Sequence, residues 1–330
     1  MAYDSEITSA NLTTAMQEPE VYMPIFQEAV NNSAFLQVAR QLPPMSRNTR
    51  NVNVLNVLPV AYWQTTGTTL KQTTEQTWKG KTITAEEMAV IIPIAEDLLA
   101  DTENTGYDLW AEIRPRIGEA MGKLIDQAVF MGTNLPSTWL TNTSGVSASI
   151  LAAATTASMT VAQGTGVDLY DDILGEDGTV SLVEQQGFMV NQHVGAVSMR
   201  GKLRHVRDNR TATGAGLPIL VREGQKNYTL DGDPILFPLN GSIAAASALL
   251  FSGDFSQFCY SIRQDITVKL ITEGVITDGD GAIVINLPQQ DMVALRFVFR
   301  LGAAVSNPVT QLSATESTRY PVAVLTPAAT

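Results

Sequence analysis

TITAEEMAVIIPIAEDLLADTENTGYDLWAEIRPRIGEAMGKLIDQAVFMG, residues 82 to 132, turns from an apolar, strand-like run into a long amphipathic helix that carries no catalytic residue pattern. After the turn-forming span Asp101 to Gly106, apolar residues recur at three- and four-residue steps from Tyr107 onward: Leu109, Ile113, Ile117, Met121, Leu124, Ile125 and Ala128. Glu112, Arg116, Glu119 and Lys123 fill the rest of the helix surface. Pro115 falls inside this pattern, where it removes a backbone donor and crowds the preceding turn, so a kink or a restart is expected there. Gly118 and Gly122 soften the same stretch.

The chain has 330 residues, 45% of them hydrophobic, which is enough for a large core or for one elaborated domain plus a second. No run reaches the roughly 18 continuous apolar residues of a membrane span. The N-terminus MAYDSEITSANL has neither the basic start nor the apolar centre of a secretory signal. A single cysteine, Cys259, makes no intramolecular disulfide, and its neighbours Phe258 and Tyr260 mark it as a small buried hydrophobe. The formal charge of −12 argues against a protein that grips nucleic acid, since phosphate neutralisation needs clustered Lys and Arg. Only RGKLRHVRDNR, residues 200 to 210, is locally basic, and a solvated helix face followed by a turn accounts for it.

Outward from the opening stretch, the N-terminal side reads as an arm with one docking helix from Pro19 to Gln41, broken by Pro43 and Pro44. Asn51 to Trp63 reads as extended. The Thr- and Gln-rich span Gln64 to Thr82 has almost no aliphatic residue except Leu70, so it buries no core of its own, yet threonine favours strands. A protruding two-stranded loop that packs on another subunit fits best. On the C-terminal side, Asn134 to Gly166 is rich in Ala, Ser and Thr and reads as the boundary to a second lobe. That lobe is expected to hold an acidic helix at VDLYDDILGED, a strand at Gly187 to Gln192, a helix around Ser198 to Asp208, a turn at Asp231 to Pro234 and a strand at Ile235 to Phe237. Strict alternation puts Val293, Leu295, Phe297, Phe299 and Leu301 on one face of a strand, with Arg296 and Arg300 on the other; Ile266, Val268 and Leu270 form a second such strand. Strands and helices mix without a βαβ rhythm, which makes the class α+β.

Tests for chemistry come back negative. Gly80, Lys81 and Thr82 resemble the tail of a phosphate-binding loop, but the position of its first glycine is Glu75, and a strand follows instead of a helix. Asp278, Gly279, Asp280 and Gly281 resemble a calcium loop whose bidentate glutamate would fall at Gln289, so a surface hairpin turn is the better reading. His193 and His205, the only histidines, have no further ligand at metal spacing. The acids Asp168, Asp171, Asp172, Glu176 and Asp177 read as a solvated helix face with favourable N-terminal charge. No cofactor, metal or catalytic group is expected.

In order along the chain, four stretches resemble the major capsid proteins of tailed bacteriophages, the HK-97-type fold: IPIAEDLLADTENTGYDLWAEI through IDQAVFMGTN, GFMVNQHVGAVSMRGKLRHVRDN, LDGDPILFPLN, and SGDFSQFCYSIRQDITVKL leading to ALRFVFRLGAAVSNP and PVAVL. The resemblance implies an N-terminal arm with docking helix (1–60), an extended two-stranded loop (61–83), a peripheral domain around a spine helix (84–160 and 286–330) and an axial domain (161–285). It further implies self-assembly as hexamers and pentamers into an icosahedral shell around double-stranded DNA, in a virion put together in the bacterial host cytoplasm. Portal, scaffolding and decoration proteins are the other partners implied; there is no membrane. A nanocompartment shell of the encapsulin type and a non-assembling α+β enzyme or binding module are the alternatives.

Within this resemblance, Trp63, Leu70, Lys71, Glu75 and Trp78 of the extended loop are candidate subunit contacts, and Pro115, Gly118 and Gly122 are candidate flexure points of a spine helix that bends in the immature shell. Some members of the family cross-link a loop lysine to an asparagine with help from a glutamate. Lys71 stands about where that lysine would be, but the other two positions are Asp291 and Val298, so a shell held without covalent cross-links is expected. The arm-like sequence begins almost directly after Met1, which makes a separate scaffolding protein, or none, the expectation.

Overall fold

The structure, a computed structural model, describes residues 33–63, 73–98, 109–141, 146–207, 218–223 and 227–328. Its centre is the strand Met292–Val305, antiparallel on one side to Phe258–Ile271 and on the other to Glu86–Ala95. Arg40–Gln41 completes this four-stranded sheet by pairing in parallel with Cys259 and Tyr260. The alternation read from the sequence sets the face that meets the main core: Leu295, Phe297, Phe299 and Leu301 are at most 2% exposed. The long helix Leu109–Asp126 lays Ile117, Met121 and Ile125 into the same core.

That helix runs through Pro115 without a restart. It then widens into a π turn, Gln127–Met131, and ends where Gly132 takes φ 82° and donates its N–H to the Ala128 carbonyl at 3.1 Å. A left-handed residue here favours glycine, which carries no Cβ to clash. From the π turn an aromatic series crosses to the second sheet: Phe130 meets Phe251 at 5.1 Å between centroids and Phe255 at 6.4 Å, and Phe255 meets Phe258 at 5.8 Å.

The second sheet has seven short strands in the order Thr160–Ala162, Val322–Thr326, Leu250–Gly253, Gln192–Gly195, Asp233–Leu236, Asn227–Leu230 and Leu220–Glu223. It is mixed, with parallel pairs at Val324/Thr160 and His193/Ile235. The expected turn at Asp231 and Gly232 is present, both residues at positive φ, between two antiparallel strands. The sheets cut across the domain limits expected from the resemblance. Phe258–Ile271, expected in 161–285, is hydrogen-bonded into the four-stranded sheet, and Val322–Thr326, expected with the other part, is an inner strand of the seven-stranded one.

Several local expectations are corrected. Within the described residues the docking helix is Ala34–Val38 and stops before Gln41, because Arg40–Gln41 turns to join a sheet edge; the remainder, Pro19 to 32, lies outside the described residues. The strand expected over Gly187 to Gln192 begins only at Gln192: Gly187, at φ 81°, ends the preceding helix, and Asn191 uses its side chain on Asp254 and on the Phe255 N–H. The helix expected to reach Asp208 is Val197–Leu203. Asn134 to Gly166 is no bare linker, since it contributes the helix Ile150–Thr156, whose Ile150 and Ala154 are fully buried. Asp172, expected on a solvated face, is 1% exposed and accepts the backbone N–H groups of Gly164 and Gly166 at 2.8 and 2.7 Å. Arg200 is half-buried: its guanidinium stacks over the Tyr228 ring at 4.6 Å and donates to the Tyr228 hydroxyl, while Lys202, Arg204, His205 and Arg207 are exposed as expected.

Candidate subunit interface

Thr49–Val57 and Thr77–Thr84 form a two-stranded hairpin, in register from Thr49/Thr84 to Leu55/Trp78, with a bulge before Val57/Thr77; its first strand lies before the span Gln64 to Thr82 expected to hold both strands, and residues 64–72 lie outside the described residues. Val52 and Ile83 give its base a small apolar side, so the base settles on a cluster with Met45, Ala85, Cys259 and Ala304. This cluster covers the second face of the central strand, and a glycine makes the close approach possible. A Cβ at Gly302 would stand 2.5 Å from the Thr84 carbonyl oxygen and 2.7 Å from Ile83 Cγ2.

Polar contacts lock the base further. Glu316 accepts from Lys81 at 2.5 Å and from Lys79 at 3.1 Å. Burial raises the Glu316 carboxyl, but the hydrogen bonds and charges of Lys81 and Lys79 outweigh it and hold the group below the usual glutamate range. Val309 N–H donates to the Leu55 carbonyl at 3.1 Å, and Ala85 N–H to the Asn48 carbonyl at 2.9 Å. Cys259, in the same cluster, has its thiol pushed up by burial, which disfavours a nucleophilic thiolate.

Away from the base the hairpin loses contact with its own subunit. Trp63 is fully exposed at 103%, Val60 is 69% exposed and Trp78 65%. Glu75 is exposed as well. Leu70 and Lys71, the other two loop candidates, lie outside the described residues. The surface hairpin turn read at Asp278 to Gly281 is present, but its apolar exposed strands were not foreseen: Val275–Thr277 pairs with Ile283–Asn286, and Val275, Ile283 and Val284 are at least half exposed. Their signal was the run Ala282 to Ile285, apolar without an alternating polar face. The turn between the strands is Asp278 to Gly281, with Asp278 Oδ1 accepting from the N–H groups of Asp280 and Ala282.

Of the flexure candidates, Pro115 is half-buried while Gly118 and Gly122 lie on the buried side of the helix near Ile117 and Met121. Asp291 sits exposed at a turn with φ 48°, and Val298 is buried in the central strand. Neither side chain offers the amide or the carboxylate that the cross-linking chemistry requires at its position.

Asp126, in the last turn of the long helix, is fully buried and ties the start of the described chain to that helix. Its carboxylate accepts from Ser33 Oγ at 2.7 Å, Ala34 N at 2.9 Å, Phe35 N at 3.0 Å and Asn240 Nδ2 at 2.7 Å. Burial pushes the carboxyl up from the usual aspartate range, against the opposing pull of the Phe35, Ala34, Asn240 and Ser33 hydrogen bonds. Among the described residues, no three His, Cys, Asp or Glu side chains cluster as a metal site, and no helix is long and apolar enough to cross a membrane. The arrangement is one of a rigidly mounted, exposed hairpin.

A family model described as the phage capsid family matches residues 15–310. The major capsid protein of Staphylococcus phage 80alpha is 26% identical over 291 residues, covering 87% of this chain and 81% of that protein. Among solved structures, a chain from Microbacterium phage Oxtober96 superposes with a TM-score of 0.73 at 37% identity, over 90% of this chain and 91% of that one. A chain from Mycobacterium phage Adephagia gives 0.72 at 29% identity, over 99% of both.

Proposed function

The chain belongs to the phage capsid family and is a major capsid protein that assembles into the virion shell; from this premise we propose that its hairpin, Thr49 to Thr84, supplies the principal contact between neighbouring copies. The observation that carries this reading is the bare Trp63, a large aromatic with essentially no contact inside its own subunit, on a hairpin whose base is rigidly mounted. A surface of this kind meets a different surface on the next copy, and such head-to-tail contacts close into rings. The rings proposed are pentamers and hexamers of an icosahedral shell, held without covalent cross-links.

In the same reading the four-stranded sheet and long helix form the peripheral domain, the seven-stranded sheet forms the axial domain, and the residues before Arg40, with the helix Ala34–Val38, form the arm. The shell encloses double-stranded DNA without binding it specifically, in keeping with the net charge of −12, because an acidic wall does not trap incoming phosphates. Assembly takes place in the host cytoplasm, with portal, scaffolding and decoration proteins as further partners. Neither an enclosing compartment for enzymes nor a non-assembling enzyme is favoured by any observation.

The test is a Trp63→Ser, Trp78→Ser double variant of the full chain, followed by sedimentation and electron microscopy. Folded subunits that fail to close shells are expected. Shells at wild-type yield would refute the role of the hairpin.

A further inference from the structure

A cavity of about 80 Å³ lies beside the hairpin base, lined in part by Lys81, Leu140, Asn307, Glu316, Arg319 and Tyr320. Its charges do not balance. Lys81 is 6% exposed and Arg319 2%, yet among the described residues lining the cavity Glu316 is the only acid, and it also pairs with Lys79 outside the lining. Both lysines share that one carboxylate. Arg319 donates only to neutral acceptors, the Ser313 and Asn307 carbonyls and Asn307 Oδ1, which uses three of the five N–H groups of a guanidinium.

The Tyr320 hydroxyl is buried and has no hydrogen-bond partner. Its ring is held edge-on against Phe258 at 6.1 Å, and the residue lines the cavity. An orphan buried hydroxyl and a surplus of buried positive charge are each costly, and a water molecule would satisfy only the first. One small anion satisfies both. A cavity of this size holds a few waters or one tetrahedral or planar oxyanion.

We propose that this cavity binds a small oxyanion, a phosphate or a carboxylate, through the Lys81 ammonium, the unused N–H groups of Arg319 and the Tyr320 hydroxyl. Charge-assisted hydrogen bonds from a lysine, an arginine and a phenol are the donor set such a group requires. The anion has two possible sources. It is free in solution, or it is an acidic side chain of a second copy, in which case the site completes only in the shell.

The test melts full-length protein, dissociated and assembled, in inorganic phosphate up to about 10 mM against chloride at matched ionic strength, well below the concentrations at which phosphate stabilises proteins through surface exclusion. A saturable rise in melting temperature of the dissociated subunits is expected. Tyr320→Phe removes the orphan hydroxyl, so it should melt as high as wild type without phosphate while raising the half-saturating concentration roughly tenfold. Lys81→Met should abolish the response. A rise in dissociated subunits but not in shells assigns the shell's occupant to a neighbour's carboxylate, and a rise in both assigns it to the free anion. No saturable rise in dissociated subunits, or one unchanged in Tyr320→Phe, overturns the proposal. The dissociated measurement does not depend on shell formation, so its failure leaves the capsid function untouched.

Discussion

Replacing Asp126 by alanine should loosen the arm from the long helix, and the cost can be worked from the four donors that converge on it. Ser33 Oγ, the N–H groups of Ala34 and Phe35, and Asn240 Nδ2 all lie 2.7–3.0 Å from the carboxylate. Ser33 and Phe35 are fully buried and Ala34 is 2% exposed, so water does not readily replace the lost acceptor. Hydrogen bonds to a charged group contribute about 1.5–3 kcal/mol each, but they are not additive when they share one acceptor. The donors left behind are neutral, and each buried group without an acceptor costs about 1–3 kcal/mol, so with partial relaxation about 4 kcal/mol is expected for Asp126→Ala.

Asp126→Asn keeps the volume and one acceptor oxygen but turns an NH₂ group toward donors. About 2–3 kcal/mol is expected, less than for alanine. At roughly 2 °C per kcal/mol for a chain of this size, the alanine variant should melt about 8 °C lower. Urea unfolding gives the free energies, and limited proteolysis near Ala34 reads the release of the arm separately. If both variants unfold within about 1 kcal/mol of wild type, the network does not hold the arm and the reasoning fails.

The glycines of the hairpin base and its central support should respond in opposite ways. Gly302→Ala forces a Cβ against the Thr84 carbonyl at 2.5 Å and should cost about 2–3 kcal/mol, whereas Gly80→Ala, with nothing within 4 Å, should be neutral or stabilise by about 0.5 kcal/mol; equal melting temperatures for the two would contradict this. His193, buried beside Ser252 Oγ at 2.9 Å, has its pKa pushed down to about 4 by burial. The unfolded chain therefore binds a proton that the folded chain does not as pH falls from about 6.5 to 4, and up to about 3 kcal/mol of stability is lost over that window. His193→Gln should flatten the wild-type fall in urea midpoint between pH 7 and 4; parallel curves would remove His193 as its source. Pro115→Ala restores a helical donor and should not lower subunit stability, yet it should change shell yield or expansion. Identical shells at identical yield, seen by electron microscopy, would count against a mechanical role for Pro115.

Periodicity was legible wherever one face of an element meets one core. The alternation from Val293 to Leu301 and the helical steps at Ile117, Met121 and Ile125 describe a single interface each, and both are found as read. Ala294 and Val298, on the other face of the same strand, are also buried, because further chain covers that side too. No period reveals a second layer supplied by a distant segment. Polar residues were misread for the same reason. Asp172 looks like surface charge until Gly164 and Gly166 fold over it, and Asp126 looks like an ordinary helix-ending acid until Ser33, Ala34 and Phe35 arrive from more than 90 positions away. Apolar runs mislead in the opposite sense at Gly187 to Asn191, where a left-handed glycine turns the chain and pairing starts only with the Asn191 N–H on the Gly253 carbonyl.

The hairpin shows why an exposed surface was readable when the buried acids were not. A subunit that waits in solution before assembling cannot present a large continuous apolar patch, because such patches associate without specificity. Along this hairpin the exposed apolar groups are confined to one short run, where Val57, Val60, Tyr62 and Trp63 fall within residues 57 to 63, and to Trp78, which stands apart among threonine, glutamine and lysine, so the apolar surface stays small until a complementary surface covers both parts at once. Association also loses free energy to the ordering of loops and side chains. Here that loss is reduced at the base before any neighbour arrives, by the Gly302 approach, the Glu316 pairs and the backbone bonds at Leu55 and Asn48. A composition too polar for a core, punctuated by tryptophans and fixed at one end, is what both requirements select together. Each requirement acts on residue type along a short stretch, and so it leaves its trace in the sequence itself.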